Sequence, residues 1–335
     1  MRRTRIDIEV IGELNNLVLA AWKAGRGKHG RPKVAAFFSD LDANLEQLGA
    51  DILDGRAPYG RYKQFVIHDP KRRLIHAACF EDRVVHHAIM NLAGPLFEKA
   101  MAPTTYACLP GRGVHKVAGA VLAAMRRYPW YVKIDIDSYF NSICHARLFS
   151  LLQRRFKGDE FLNLLRRIIE SHDVGSKRGL PIGSLTSQYF ANYYLDRLDR
   201  LLLGHSQVRA SLRYMDDIIW WCDSRQNAAQ TLESVRTHIE KECRLTVKGN
   251  IQINRSDFGV TYCGYRIKPS GIGLSPRRKR RYRERRQYWE DAWEAGEISA
   301  LELQNRYASV HAILQGAESH AWRRSVLLRD APVDV

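Results

Sequence analysis

The sequence predicts an α+β fold built around a mostly antiparallel sheet. Three observations carry this. Segments with apolar residues at helical spacing are interleaved along the 335 residues with short strand-like runs. Two such runs, Leu212 to Tyr214 and Ile218 to Trp221, meet at adjacent aspartates in the manner of a tight hairpin. Hydrophobic residues make up 45% of the chain, enough to bury a sizeable core, and there is no internal repeat or low-complexity linker.

The elements follow in order. The spacing predicts helices over residues 6–23 and 33–54, separated by a basic loop from Lys23 to Lys33 with glycines at 25, 27 and 30. A strand from Tyr62 to Ile67 closes at Asp69-Pro70, and a helix over 82–100 stops before Ala102-Pro103. Helix 113–127 leads into the strand Tyr131 to Ile136, and a helical pair covers 145–171. Gly179 to Gly183 is a loop, after which Ser184 or Thr186 caps one long helix with Phe190, Tyr194, Leu198 and Leu202 on its buried face. Strands flank Asp216-Asp217, a helix covers 226–242, and short strands run through Leu245 to Val247 and Val260 to Ile267. Pro269 to Gly273 breaks the pattern, and from Pro276 onward it is helical and strongly basic.

Lysine and arginine total 53 against 36 acids, a net charge of +17. That excess points to a polyanionic partner, most simply nucleic acid. Residues 276–286 alone hold eight basic side chains and one acid. No apolar run is long enough to span a membrane, and Met1-Arg2-Arg3 leads into no apolar signal core. Six scattered cysteines without a CxxC pair fit a reducing cytosol, and twelve histidines offer no pair at metal spacing on one helix. The expected setting is cytoplasmic.

The sharpest feature is acidic. In Tyr131-Val132-Lys133-Ile134-Asp135-Ile136 the period of two places Tyr131, Lys133 and Asp135 on the face opposite Val132, Ile134 and Ile136. Eighty residues on, Tyr214-Met215-Asp216-Asp217 sets two more carboxylates between apolar runs. Clustered carboxylates repel unless neutralised, and a divalent cation is the simplest counter-charge. Magnesium takes oxygen ligands, with one or two carboxylates plus substrate phosphates.

Tyr214-Met215-Asp216-Asp217 resembles the palm-hairpin motif of reverse transcriptases, and Lys133-Ile134-Asp135 with Tyr139-Phe140 resembles their first aspartate motif. Pro70-Lys71-Arg72-Arg73-Leu74-Ile75 is similar to the fingers segment that grips the incoming triphosphate, and Glu81 to Ala88 to the helix after it. Gly179 to Asn192 looks like the loop and helix beneath the nascent base pair, and Tyr262-Cys263-Gly264-Tyr265 like the primer-grip hairpin. Order and spacing hold across roughly residues 25–325. The resemblance implies a right-hand polymerase fold: N-terminal helices and fingers over 1–130, palm over 131–270 with a fingers–palm segment at 145–185, and a helical basic thumb over 271–335.

Ile182-Gly183 stands where most reverse transcriptases carry Gln-Gly, and Ser187-Gln188 where many carry Ser-Pro. This combination is most similar to the reverse transcriptases of diversity-generating retroelements, which copy a template RNA with frequent errors at adenines and work with a small basic ring-forming accessory protein. By that resemblance Asp135, Asp216 and Asp217 are catalytic and, with the Ile136 carbonyl, hold two Mg2+ ions, for which Mn2+ can substitute. Lys71 and Arg73 meet the triphosphate of the incoming dNTP, Phe140 gates against a ribose 2′-hydroxyl, and Ile182 and Gln188 border the nascent pair. Tyr214 and Gly264 face the primer, while Arg277, Arg278, Lys279, Arg280 and Arg281 line the template–primer duplex. Where the family often has Arg-Pro this chain has Cys108-Leu109-Pro110, so the basic contact falls to Arg112. Two alternatives stand beside this reading. One is an antiphage-defence, retron or group II-like reverse transcriptase, and the other an inactive RNA-binding scaffold, which would gain nothing from three mutually repelling carboxylates.

Overall fold

The computed structural model of the chain describes residues 3–57, 60–68 and 72–330, with Arg73 described by its backbone alone. The chain passes through β1 (Thr4–Arg5), α1 (Ile8–Gly12), α2 (Leu14–Gly25), α3 (Pro32–Ser39), α4 (Leu41–Leu53), the hairpin β2 (Tyr62–His68) and β3 (Arg72–Ala78), then α5 (Phe80–Ala100) and α6 (Val114–Arg127). It continues with β4 (Trp130–Asp135), α7 (Tyr139–Ser142), α8 (His145–Arg155), β5 (Phe156–Lys157), α9 (Asp159–Glu170), α10 (Leu185–Tyr194) and α11 (Asp196–Gly204). The remainder is β6 (Ala210–Tyr214), β7 (Asp217–Cys222), α12 (Arg225–Thr237), β8 (Gln252–Arg255), β9 (Val260–Tyr262), β10 (Tyr265–Lys268), β11 (Gly271–Leu274), α13 (Pro276–Glu294), α14 (Ala300–Ala312) and α15 (His320–Arg329). Segments within 1–108, 135–201 and 234–249 form one compact unit; segments within 109–134, 202–233 and 250–335 form a second.

In the first unit the expected helix over 6–23 is broken at Glu13, whose backbone is extended. The break lets α1 lie against α4 at a glycine crossing, where a Cβ on Gly49 would meet the Gly12 carbonyl at 3.0 Å. The helix expected over 33–54 likewise divides at Asp40, with Pro32 opening α3. The expected long helix after Ser184 also divides, at Leu195. There the buried Asp196 turns its carboxylate to the Ala102 N–H (2.7 Å) and to Arg200 (2.7 Å). Its apolar face survives the break, since Phe190, Tyr194, Leu198 and Leu202 are all buried. Ser184 occupies the cap position but its hydroxyl bonds Thr186 Oγ1 at 3.0 Å rather than a helix N–H. Of the expected strand Leu245 to Val247, a single bridge from Val247 to Ile136 remains.

The second unit carries a four-stranded sheet in the order β6-β7-β4-β8. Trp220 and Trp221, consecutive on β7 and so on opposite faces of the sheet, are both fully buried, and Trp220 donates its indole N–H to Thr231 Oγ1 at 2.9 Å. The strand expected over 260–267 is two strands, because Cys263 (φ 46°) and Gly264 (φ 83°) reverse the chain between β9 and β10. The break expected at Pro269 to Gly273 is the turn into β11, which completes a three-stranded antiparallel sheet. The basic C-terminal helices pack round Leu274, Tyr282, Val310 and Leu314, with Trp289 and Trp322 closing the cluster. Among the described residues no helix is long and apolar enough to cross a membrane.

His86, on α5, is buried with Nδ1 2.9 Å from Thr186 Oγ1. Burial, then the neighbouring His87, lowers its pKa to about 4. His87 is likewise lowered to about 4 by burial, then by Arg83, Lys23 and Lys28. Both imidazoles are therefore neutral in the fold at pH 7, whereas in the unfolded chain they titrate near about 6.5. The stability this permits is complete above pH ~6.5 and is lost as the pH falls from there towards about 4. Urea unfolding should show a loss of about 1.4 kcal/mol per pH unit for each imidazole across that window. His86→Gln should remove its own share, about 1.4 kcal/mol per pH unit, from the observed slope, and an unaltered slope contradicts the assignment.

Candidate active site and nucleic-acid interface

The acidic hairpin is set by its register. Tyr214 pairs with Asp217, so Met215 and Asp216 alone form the loop between β6 and β7. A two-residue loop needs a left-handed residue, and here it is Met215 (φ 58°), a conformation side chains with a Cβ rarely adopt. Arg213, fully buried, donates from Nη1 to the Met215 carbonyl at 3.1 Å and so clamps the turn. Asp216 and Asp217 are left half-buried at the tip.

Asp217 is anchored twice. Its carbonyl accepts the Tyr262 hydroxyl at 2.6 Å, and its carboxylate lies 3.4 Å from the Lys133 ammonium. Lys133 also donates to the Thr261 carbonyl at 3.1 Å and stands 5.6 Å over the Tyr262 ring. One lysine of β4 thus ties the acidic turn to the hairpin at Tyr262 to Tyr265. Burial and then the Asp217 charge raise the Tyr262 phenol well above its ordinary value. The same two causes raise the Cys263 thiol, so both groups stay neutral and neither competes as an anion.

In the first unit, Asp135 closes β4 and receives Lys248 twice, at its carbonyl from the backbone N–H (2.8 Å) and at Oδ1 from the ammonium (2.5 Å). Ile136 is buried and bridged to Val247, and the Asp137 N–H bonds the Thr246 carbonyl at 2.8 Å. The half-buried Phe140 lies edge-on to Tyr139 with ring centroids 5.8 Å apart, and its carbonyl accepts the Leu180 N–H at 2.9 Å. Ile182 is half-buried, and its carbonyl accepts the His76 N–H at 3.1 Å, joining this loop to β3. Gln188 lies half-buried on α10. Of the two triphosphate candidates, Lys71 lies outside the described residues, and Arg73 pairs through its backbone with Ile67 in the β2–β3 hairpin.

The expected nucleic-acid contacts divide in two. Tyr214 ends β6, half-buried, and Arg112 sits half-buried in the turn before α6. At Gly264 the backbone is left-handed at φ 83°, which favours glycine, and a Cβ there would lie in van der Waals contact with Arg278 Cδ at 3.4 Å. The basic run of α13 is not one uniform wall. Arg277 and Arg280 are exposed, Arg281 is half-buried, Arg278 stacks 4.3 Å from the Tyr265 ring, and Lys279 stands 5.5 Å over Trp322. Arg286 turns inward altogether to pair with buried Glu290 at 2.7 Å.

Sequence reasoning missed Lys248, Arg213 and the anchoring role of Lys133. Lys133 had a signal in the two-residue period it shares with Asp135. Lys248 had none, since it meets Asp135 across 113 residues of chain. Among the described residues no three His, Cys, Asp or Glu side chains stand close enough together to hold a metal ion. The donor chemistry nevertheless suits a hard cation. Asp135 and Asp217 offer carboxylate oxygens, are 32% and 23% exposed, and already draw an ammonium each.

A sheet ordered β6-β7-β4-β8 with an acidic turn between its first two strands defines the palm of a right-hand polymerase. The chain belongs to the reverse transcriptase (RNA-dependent DNA polymerase) family, whose pattern matches residues 67–257. It is 29% identical over 46% of its length to an uncharacterised 91 kDa protein in the cob intron of Schizosaccharomyces pombe, of which 18% is covered. It is 26% identical over 48% of its length to protein YkfC of Escherichia coli, covering 44% of that protein. Against the group II intron-encoded protein LtrA of Lactococcus lactis the identity is 23% over 40% of this chain and 23% of LtrA. The chain thus spans less than half the length of these relatives. The fold is also similar to apo telomerase from Candida tropicalis, with a TM-score of 0.50 and 10% identity over 72% of this chain and 53% of the telomerase.

Tyr262→Phe should therefore loosen the acidic turn. Leaving the Asp217 carbonyl short of this donor is expected to cost about 1 kcal/mol, read as a lowered unfolding midpoint. Lys133→Met should lower the midpoint similarly, and no change in either variant would contradict the double anchoring.

Proposed function

We propose that the chain is an RNA-directed DNA polymerase of the diversity-generating type, making cDNA on a template RNA with errors concentrated at adenines. The observation that carries the polymerase reading is the Met215 turn, which holds Asp216 and Asp217 at the head of β7, the neighbour of the strand that ends in Asp135. Asp135, Asp216 and Asp217, with the Ile136 carbonyl, would hold two Mg2+ ions, with Mn2+ as a substitute. Reverse transcriptase domains generally use such divalent ions, which lower the charge barrier to attack of a primer hydroxyl on the α-phosphate and to departure of pyrophosphate. Lys133 and Lys248 keep the carboxylates neutralised and oriented before that.

Lys71 and Arg73 would take the triphosphate of the dNTP, Phe140 would exclude a 2′-hydroxyl, and Tyr214 and Gly264 would seat the primer end. Arg112 and the outward members of Arg277 to Arg281 would meet duplex phosphates. Ile182, an apolar side chain in a loop tied to β3 through His76, supports the error-prone reading, because it offers no polar group to check the geometry of the forming pair. A small basic ring-forming accessory protein and a cytoplasmic setting complete this proposal. A second reading, a group II-like reverse transcriptase, is favoured by the likeness to LtrA; it keeps the chemistry and changes the template.

Primer extension on an RNA template with Mg2+ tests the mechanism. Asp216→Ala and Asp135→Ala should each lower incorporation at least ~100-fold with an unfolding midpoint close to wild type, and normal incorporation by Asp216→Ala would sink the mechanism. Sequencing of cDNA made on an adenine-rich template should show misincorporation at adenines that Ile182→Gln reduces. Error spectra identical in the two proteins would remove the diversification reading while leaving the polymerase.

A further inference from the structure

The first unit contains a cavity of about 680 Å3 that the polymerase reading does not use. Its wall carries Arg3, Arg154, Arg155, Arg197 and Arg200. That volume is within the range of small-ligand sites and admits one nucleotide. The arginines come from distant parts of the chain, brought together by specific contacts. β1 pairs in parallel with β5, Thr4 opposite Phe156, which brings Arg3 to the end of α8, where Arg154 and Arg155 stand. Arg155 is buried and spends its Nη2 donor on the Leu96 carbonyl at 3.0 Å, while its Nε has no hydrogen-bond partner among the described residues. Arg200 is tied to Ala100 O (2.6 Å) and Asp196 (2.7 Å).

Among the described residues Asp196 is the one acid on the wall, and both its oxygens are engaged, one by the Ala102 N–H and the other by Arg200. Among the described residues, five arginines therefore line a cavity with a single, already committed carboxylate, and Arg155 and Arg200 spend donors on fixed acceptors while Arg3, Arg154 and Arg197 are exposed. Like charges crowded on one wall are unfavourable until an anion enters, and guanidinium forks match phosphate oxygens bidentately. Tyr193, half-buried on the same wall, adds a phenol beside the arginines.

We propose that this pocket binds phosphate groups of an RNA strand at a place separate from the polymerase centre, so that the protein holds its RNA by a contact that polymerisation does not need. The inference goes beyond the polymerase reading and rests on it only for the choice of RNA as the phosphate source; its test reads binding rather than synthesis, so the two fail separately. The exposed arginines Arg3, Arg154 and Arg197 are the ones to change, since Arg155 and Arg200 also serve the fold.

The full chain carrying R3Q/R154Q/R197Q is compared with R225Q/R236Q/K241Q, which removes the same charge from exposed positions on and just after α12. Binding of labelled single-stranded polyuridylate is measured by filter retention across a salt series, and ATP is tested separately by its effect on thermal melting. The pocket variant should bind the RNA at least tenfold more weakly, with the slope of log affinity against log salt smaller by about 2. The α12 variant should change less than threefold. Equal losses in the two variants overturn the proposal. Retained RNA binding with loss of an ATP-induced melting shift also overturns it, and assigns the pocket to a free nucleotide instead. DNA synthesis on polyriboadenylate primed with oligodeoxythymidylate should persist in the pocket variant. Failure of both wild type and variant to synthesise would count against the polymerase reading alone.

Discussion

The hydroxyl of Tyr262 donates to the carbonyl of Asp217, and the acidic turn stands where that bond lets it stand. The phenol is buried, so it has no water to exchange for this acceptor, and its high pKa keeps the proton on the oxygen. Tyr262 can reach Asp217 because β9 and β10 reverse through two left-handed residues, and glycine at 264 leaves room for Arg278. From the other side, Arg213 holds the Met215 carbonyl and keeps a bulky residue in a backbone region that costs about 1 kcal/mol or more. The strain sits at the tip, and the hydrogen bonds that offset it come from buried groups on either side. Such a turn presents two carboxylates with little freedom to relax apart.

The charges around the carboxylates follow the same economy. Lys133 and Lys248 come from different units, and each neutralises one aspartate. Both pairs are partly open to solvent, so neither lysine is locked in by burial, and a cation with more charge and more coordination can take over the carboxylate oxygens. Lys133 in particular has other partners to keep, the Thr261 carbonyl and the Tyr262 ring. It can therefore release Asp217 without being stranded.

What was legible in the sequence was local. The strand at Tyr131 to Asp135, the acidic hairpin and the apolar face of Phe190 to Leu202 follow from periods of two and about 3.6, and these elements stand where those periods place them. Helix breaks were not legible. Glu13, Asp40 and Leu195 carry no proline or glycine signal of their own, and their positions are decided by distant partners: the Gly12–Gly49 crossing for the first, the Ala102 N–H and Arg200 for the last. The same limit applies to the site. Asp216-Asp217 announced itself within ten residues, whereas Lys248 and the Tyr262 bond join positions 113 and 45 residues apart.

The net charge of +17 also changes meaning once each arginine has an address. Arg213 clamps a turn, Arg155 holds a carbonyl of α5, Arg286 is paired inside the C-terminal helices, and Arg178 joins Ser142 to Arg244 through their carbonyls. These side chains are committed to fixed acceptors, and swapping them for phosphate would cost the fold an internal hydrogen bond. Composition therefore overstates the surface offered to a polyanion. The guanidinium groups left to meet one are exposed ones, such as Arg154 and Arg197 at the cavity wall. Two adjacent arginines at the end of α8 then fall on opposite sides of this division: Arg154 is exposed, while Arg155 is buried and bonded to the Leu96 carbonyl of α5.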